Sequence, residues 1–176
     1  MTGAPPPIGV IGAGAWGTAL AQMLASDGSA VTLWAYEAEV VAAINTQHTN
    51  PLYLPSTNLA PTVRATGDLA DLTDCEIVLV VTPAQVLGKV LGGLAAPPRD
   101  LVLCSKGIDA NTGELMNAVA RRAAPASMLA VLSGPTFAHE VAAGLPTAVT
   151  LACAGGEAQW QRLAPALSRP AFRPYY

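Results

Sequence analysis

Residues Ile8-Gly9-Val10-Ile11 run directly into Gly12-Ala13-Gly14-Ala15-Trp16-Gly17, and an alanine-rich helical pattern follows at once. This strand–turn–helix junction restricts the backbone more than any other stretch of the chain. In a G-x-G-x-x-G turn the first glycine permits the tight reversal and the second lets a ligand approach the backbone. The third lets the helix pack closely on the strand. The amides of Ala15, Trp16 and Gly17 then lie unpaired at the positive end of a helix, an arrangement that holds an anion without a cationic patch. A glycine-rich turn that merely connects two elements is the plainer reading. Strand, helix and a second strand in register argue against it.

Apolar runs of strand length alternate with helical ones throughout, the pattern of a doubly wound α/β fold with a mostly parallel sheet, Rossmann-type. Apolar residues make up 52% of the chain and charged ones 12%, which suits a parallel sheet covered on both faces. Strands are predicted at Ile8–Ile11, 30–34, Val63–Thr66, 76–81, 101–104, 128–132 and 148–152, with 172–176 a last strand or linker. Helices are predicted at about 16–26, 37–44, from Pro83 to about Leu94, 113–124, 136–143 and 159–167. Between 45 and 61 the pattern breaks into Asn, Pro, Thr and His, read as an unusually long loop. Residues 1–7 read as a flexible arm and 8–176 as one domain.

The net charge of −3 and nine scattered Lys and Arg offer no basic run for a nucleic-acid backbone. Cys75, Cys104 and Cys153 have neither metal-ligand spacing nor a disulfide pattern, and read as buried reduced thiols. No signal-peptide pattern or membrane-length apolar stretch is visible, so no membrane insertion and a cytoplasmic setting are expected.

In this frame the turn at Gly12, Gly14 and Gly17 reads as the pyrophosphate cradle of a nicotinamide dinucleotide. Glu37, twenty residues beyond Gly17, stands where an acid hydrogen-bonds the adenosine ribose hydroxyl; Tyr36 stands where an arginine would meet a 2′-phosphate. The cofactor is NAD or NADP, with NAD favoured. The alternative for Glu37 is a helix cap. Pro83, after the buried "IVLVV" strand, starts a helix at the mouth of the cofactor crevice. Lys106 follows another strand at the same edge, placed for an anionic substrate or the nicotinamide side, or else is a solvated loop lysine. Gly134 and Thr136 open a further strand-to-helix turn suited to a phosphate or hydroxyl group, with Thr136 alternatively a helix cap. His48 lies in the long loop and keeps an open role; His139 reads as a surface or capping residue.

Taken together, these segments resemble the NAD(P)-dependent glycerol-3-phosphate dehydrogenase family. The resemblance is carried by "IGAGAWGTALA", "LW" at Leu33-Trp34, "INTQHTNPLYLP" at 44–55, "ATGDL" at 65–69, "VVTPAQ" at 80–85, "SKGID" and "TGELM" around Lys106, and "SGPTFAHEVAAGLPTAV" at 133–149. It implies reversible hydride transfer between dihydroxyacetone phosphate and sn-glycerol 3-phosphate, feeding phospholipid synthesis. It also implies that Ala15, Trp16, Tyr36 and Ala138 contact the dinucleotide. Lys106 would serve cofactor and substrate, and Gly134 and Thr136 the phosphorylated substrate. A homodimer of the full-length protein fits the same picture. The family's general acid/base lysine belongs to a following all-α domain, which is expected to be absent here, so no catalytic residue is assigned and the chain is expected to bind cofactor with little turnover. Two rivals stay open: a related dehydrogenase of the ketopantoate or 6-phosphogluconate type, and a non-catalytic dinucleotide-binding module.

Overall fold

A computed structural model describes residues 6–176. Most of the arm expected at 1–7 therefore lies outside the described residues, while the Pro7 carbonyl already accepts the Glu76 amide. The elements in chain order are β1 (Ile8–Ile11), α1 (Ala15–Ala25), β2 (Val31–Trp34), α2 (Ala38–Gln47), β3 (Thr49–Asn50), β4 (Leu54–Asn58) and β5 (Val63–Thr66). Next come β6 (Ile77–Val80), α3 (Ala84–Gly92), β7 (Asp100–Leu103), α4 (Met116–Ala123) and β8 (Met128–Ser133). The chain continues through α5 (Ala138–Ala142), β9 (Thr147–Cys153), α6 (Gly156–Leu167) and β10 (Phe172–Tyr175).

Eight strands form one sheet in the order β10-β9-β8-β7-β6-β1-β2-β5. The six from β8 to β5 are mutually parallel, with Val10 of β1 opposite Leu33 of β2 on one side and Leu79 of β6 on the other. Strand β9 runs antiparallel to β8, and β10 follows β9 in parallel. This is the α/β Rossmann-type architecture expected from the alternating pattern. From β1 the chain first builds outward through β2 and β5, then returns to add β6 on the opposite side. The gap between β1 and β6 is thus a topological switch point, where open α/β sheets bind ligands outside the carboxyl ends of their strands.

Alternation along the buried strands feeds two cores. Val10, Ile77 and Leu79 face the layer that contains Leu20, Leu24, Ile44 and Leu163, whereas Ile11, Val78 and Val80 face Leu87, Leu91, Met116 and Val119. Each such side chain contributes about 1.5–3 kcal/mol when fully buried. Two polar ties hold the far half of the molecule. Asp100, 1% exposed, accepts from Gln159 Nε2 at 2.9 Å and Arg162 Nη2 at 3.1 Å, joining β7 to α6. Arg169 donates to the Leu24 carbonyl at 2.6 and 3.2 Å and pairs with Asp27 at 3.1 Å, joining the turn before β10 to the last turn of α1.

The structure corrects several sequence boundaries. Helix α2 continues to Gln47, and the segment read as a loop over 45–61 contains the antiparallel pair β3–β4. Helix α4 begins at Met116, because 108–115 closes on itself through an Ile108–Leu115 bridge. Helix α5 has only five residues, and α6 begins at Gly156, ahead of the expected 159. The segment 172–176 is a true strand, not a linker.

Candidate dinucleotide-binding site

The turn after β1 shows why its glycines are needed. Gly12 adopts φ +110°, and a methyl group there would sit 2.9 Å from the Val81 carbonyl oxygen, so β1 and β6 meet backbone to backbone at the switch point. A methyl on Gly17 would overlap the Gly12 carbonyl oxygen, whereas one on Gly14 would meet nothing within 4 Å. The first and third glycines therefore serve the fold, and the second borders open space. Gly14 is the N-cap of α1 and supplies no side-chain cap; the first backbone bond into the helix runs from the Thr18 amide to the Gly14 carbonyl at 3.0 Å. The amides of Gly14, Ala15, Trp16 and Gly17 donate to no carbonyl among the described residues. Four adjacent N–H groups at a helix start, beside a cradle that a Cβ would narrow, fit a pyrophosphate.

The back of this loop is held by residues far along the chain. Asn50, fully buried, donates from Nδ2 to the Ala13 carbonyl at 2.9 Å and to Thr18 Oγ1 at 2.8 Å. Thr18 Oγ1 also donates to the Ala13 carbonyl at 3.2 Å. Asn50 Oδ1 accepts the Tyr53 amide at 3.2 Å. Asn50, Thr18 and Tyr53 lie in segments that carry the family resemblance, but the sequence assigned none of them a role. An asparagine between threonine and proline looks like any loop residue, and its partner lies 37 positions away.

After β2 come Tyr36, 84% exposed, and the half-buried Glu37. Glu37 occupies the N-cap position of α2 without a side-chain cap bond. Its carboxylate instead accepts the Tyr53 hydroxyl at 2.7 Å. That hydrogen bond raises the Tyr53 phenol above its ordinary range. The helix-capping alternative for Glu37 is thus not realised by its side chain. Pro83 is the N-cap residue of α3, beside Thr82, whose hydroxyl is buried without a partner.

Lys106 is exposed after β7, and its ammonium makes no ion pair among the described residues. The loop that carries it is pinned on both sides. Ser105 Oγ donates to the Thr82 carbonyl at 2.5 Å. Gln85 brackets the following residues, donating to the Ile108 carbonyl and accepting the Ala110 amide, both at 2.9 Å. After β8, Gly134 is wedged against β9, where a methyl group would lie 2.8 Å from Val149 Cγ1. Phe137, not Thr136, is the N-cap residue of α5, so Thr136 does not cap that helix; Ala138 is its first residue. His139 is exposed and stacks on Phe137 with ring centroids 5.9 Å apart. His48 ends α2 in the left-handed region at φ 52°, its Nδ1 buried without a partner. No group of three or more His, Cys, Asp or Glu among the described residues is placed to hold a metal, and no described helix is long and apolar enough to cross a membrane.

The sequence-predicted residues therefore fall on the loops and first helical turns after the carboxyl ends of consecutive parallel strands: Gly12, Gly14, Ala15, Trp16 and Gly17 after β1, Tyr36 and Glu37 after β2, and Pro83 after β6. Lys106 follows β7, and Gly134, Thr136 and Ala138 follow β8. Residues 7–159 match the family model described as NAD-dependent glycerol-3-phosphate dehydrogenase N-terminus. Glycerol-3-phosphate dehydrogenase [NAD(P)+] of Erythrobacter litoralis is 64% identical over 96% of this chain and 51% of its own length. Its counterpart in Novosphingobium aromaticivorans is 65% identical with the same coverage. The crystal structure of glycerol-3-phosphate dehydrogenase from Coxiella burnetii superposes with a TM-score of 0.86 at 35% identity, covering 97% of this chain and 53% of that one. The chain spans about half the length of the curated relatives it matches.

Proposed function

The chain belongs to the NAD-dependent glycerol-3-phosphate dehydrogenase family, and on that premise we propose that it forms the dinucleotide-binding part of an enzyme exchanging hydride between dihydroxyacetone phosphate and sn-glycerol 3-phosphate. The observation that carries this reading is the set of unpaired amides from Gly14 to Gly17 around a glycine whose missing side chain leaves open space. In this reading those amides hold the pyrophosphate, Glu37 accepts from the adenosine ribose, and Tyr36, Pro83 and Ala138 border the cofactor. Lys106, on a loop fixed by Ser105 and Gln85, presents an ammonium to the phosphorylated substrate and the nicotinamide side. Gly134 and Thr136 add a backbone amide and a hydroxyl for the substrate. Such preorganised donors stabilise phosphate and developing alkoxide charge.

The dinucleotide, when bound, supplies or accepts the hydride. NAD is the favoured cofactor, because the Glu37 carboxylate would repel a 2′-phosphate and no Lys or Arg is its sequence neighbour. The acid/base lysine implied by the family resemblance has no match in these 176 residues, and a positioned proton donor is worth about 10²–10⁴-fold in rate. The 176-residue chain by itself therefore binds dinucleotide with little turnover. A cytoplasmic setting, a homodimer of the full-length protein and a role in supplying phospholipid precursor belong to the same reading.

The test is titration of the purified chain with NADH and NADPH, read by quenching of tryptophan fluorescence beside Gly14→Val. Saturable NADH binding that the variant abolishes is expected, with NADPH weaker. Absence of binding by a folded chain refutes the reading, and tighter NADPH binding refutes the cofactor preference.

A further inference from the structure

We infer that Asn50 is the positioning residue of the pyrophosphate loop: its carboxamide, from the β3–β4 excursion, turns the Ala13–Gly14 peptide so that the Gly14 amide faces the ligand. The inference rests on the dinucleotide reading above and adds a residue outside the glycine motif.

A trans peptide is planar, with its C=O and N–H pointing in opposite directions. The Ala13 carbonyl is the acceptor shared by Asn50 Nδ2 at 2.9 Å and Thr18 Oγ1 at 3.2 Å, both from side chains with no exposed surface. Drawing that carbonyl into the interior directs the N–H of the same peptide, which belongs to Gly14, the opposite way. Gly14 is the one glycine of the turn where an added methyl group meets nothing, and its amide has no backbone acceptor. One buried carboxamide thus sets the direction of the donor beside the open space.

The assignment of the amide nitrogen follows from its partners. A carbonyl oxygen can only accept, so the group facing Ala13 is the NH₂. The Oδ1 end is fixed independently by the Tyr53 amide at 3.2 Å. Asn50 spends its donors on Thr18 and Ala13 and its acceptor on Tyr53, so the side chain has one satisfied orientation. Thr18 Oγ1 alone cannot impose it. A hydroxyl that loses the Asn50 donor is free to turn toward other acceptors on its own helix.

The consequence is selective. A loop whose central peptide has rotated loses a donor to the diphosphate and keeps its contacts to adenosine. Asn50→Leu removes the carboxamide, keeps the same branched heavy-atom skeleton and adds no charge. In the 176-residue chain this variant should bind ADP-ribose about tenfold to a hundredfold more weakly, the range for a lost hydrogen bond to a charged group, with adenosine binding unchanged. Both affinities are read by ¹⁵N-resolved NMR titration. A second readout needs no variant: the Gly14 amide resonance of the unmodified chain should move on saturation with ADP-ribose and stay in place with adenosine.

Equal losses for the two ligands, or wild-type ADP-ribose affinity in folded Asn50→Leu, overturn the inference and leave the dinucleotide reading standing. If the variant does not fold, the Gly14 resonance decides, and an unmoved signal overturns the inference. Failure of the unmodified chain to bind either ADP-ribose or NADH overturns the parent reading and this one with it.

Discussion

Replacing Arg169 by alanine tests how the two ends of the domain are joined. The Arg169 side chain is 8% exposed, and its guanidinium donates to the carbonyls of Leu24, Ala166 and Ser168 while pairing with Asp27. Leu24 is itself fully buried, and its carbonyl belongs to the last turn of α1, where no helical amide remains to satisfy it. Truncation leaves that acceptor without its donor, at about 1–3 kcal/mol, and forfeits the packing of the arginine stem. The Asp27 side of the pair is 46% exposed and adds less than about 1 kcal/mol. The expected loss is therefore about 3 kcal/mol, a lowering of the melting temperature by roughly 6–12 °C for a domain of this size. Urea unfolding followed by circular dichroism measures it. Arg169→Lys should recover little, since an ammonium cannot reproduce the fork, and Asp27→Asn should cost less than about 1 kcal/mol. Burial pushes the Asp27 carboxyl up, but the Ser29 hydrogen bonds and the Arg169 charge outweigh it and leave the group below its ordinary 3.8. Its contribution is therefore present above that value and lost only as pH falls through the lowered one. The Arg169→Ala deficit should be the same at pH 6 and pH 8. A deficit under 1 kcal/mol, or one that vanishes with Asp27→Asn, refutes this account.

Two further outcomes follow from the same geometry. Gly14→Ala should change unfolding free energy by less than about 1 kcal/mol, a loss typical of an N-cap, while weakening NADH binding at least tenfold. Gly17→Ala forces a methyl group into the Gly12 carbonyl and should cost about 3 kcal/mol. Equal stability of the two variants in a thermal melt would contradict the roles given to these glycines. Burial pushes the Cys104 thiol up to about 12, and it also raises Cys75 and the more exposed Cys153. A thiol reagent at pH 8 should modify Cys153 first and Cys104 only on unfolding; mass spectrometry showing early Cys104 labelling would sink that ordering.

The parallel part of the sheet was legible because strands buried on both faces, such as Ile77–Val80, carry nothing polar, and because the glycine turn fixes what precedes and follows it. What escaped were elements whose reason lies elsewhere in the chain. Strands β3 and β4 are short and mostly polar, pair only with each other, and owe their place to Asn50 reaching the glycine loop. The start of α6 was read three residues late because Gly155-Gly156 looks like a turn; Gln159, taken as the first residue, already lies on the buried face of the helix. The Gln159 amide is satisfied by Asp100, 59 residues earlier. Helix α4 was begun too early because Asp109 folds 109–112 into a side-chain-capped turn that reads locally like a helix start. At the site, strand-end residues such as Lys106 and Glu37 could be located from the pattern. Their supports come from elsewhere in the chain: Gln85 holds the loop after Lys106 through Ile108 and Ala110, and Tyr53 bonds Glu37, contacts that exist only in the folded chain.

The tie between Arg169 and Leu24 spans 145 residues, and that separation sets an order of events during synthesis. Helix α1 leaves the ribosome well before the donor for its last turn has been made. At about 5–20 residues per second the helix waits roughly seven to thirty seconds for it. Over that interval the Leu24 carbonyl lacks its guanidinium donor, and once β9 is made its outer edge stays unpaired until β10 follows. Closure of the turn at Arg169 is thus the step that ties α1 to the β10 edge of the sheet and makes the two one cooperative unit.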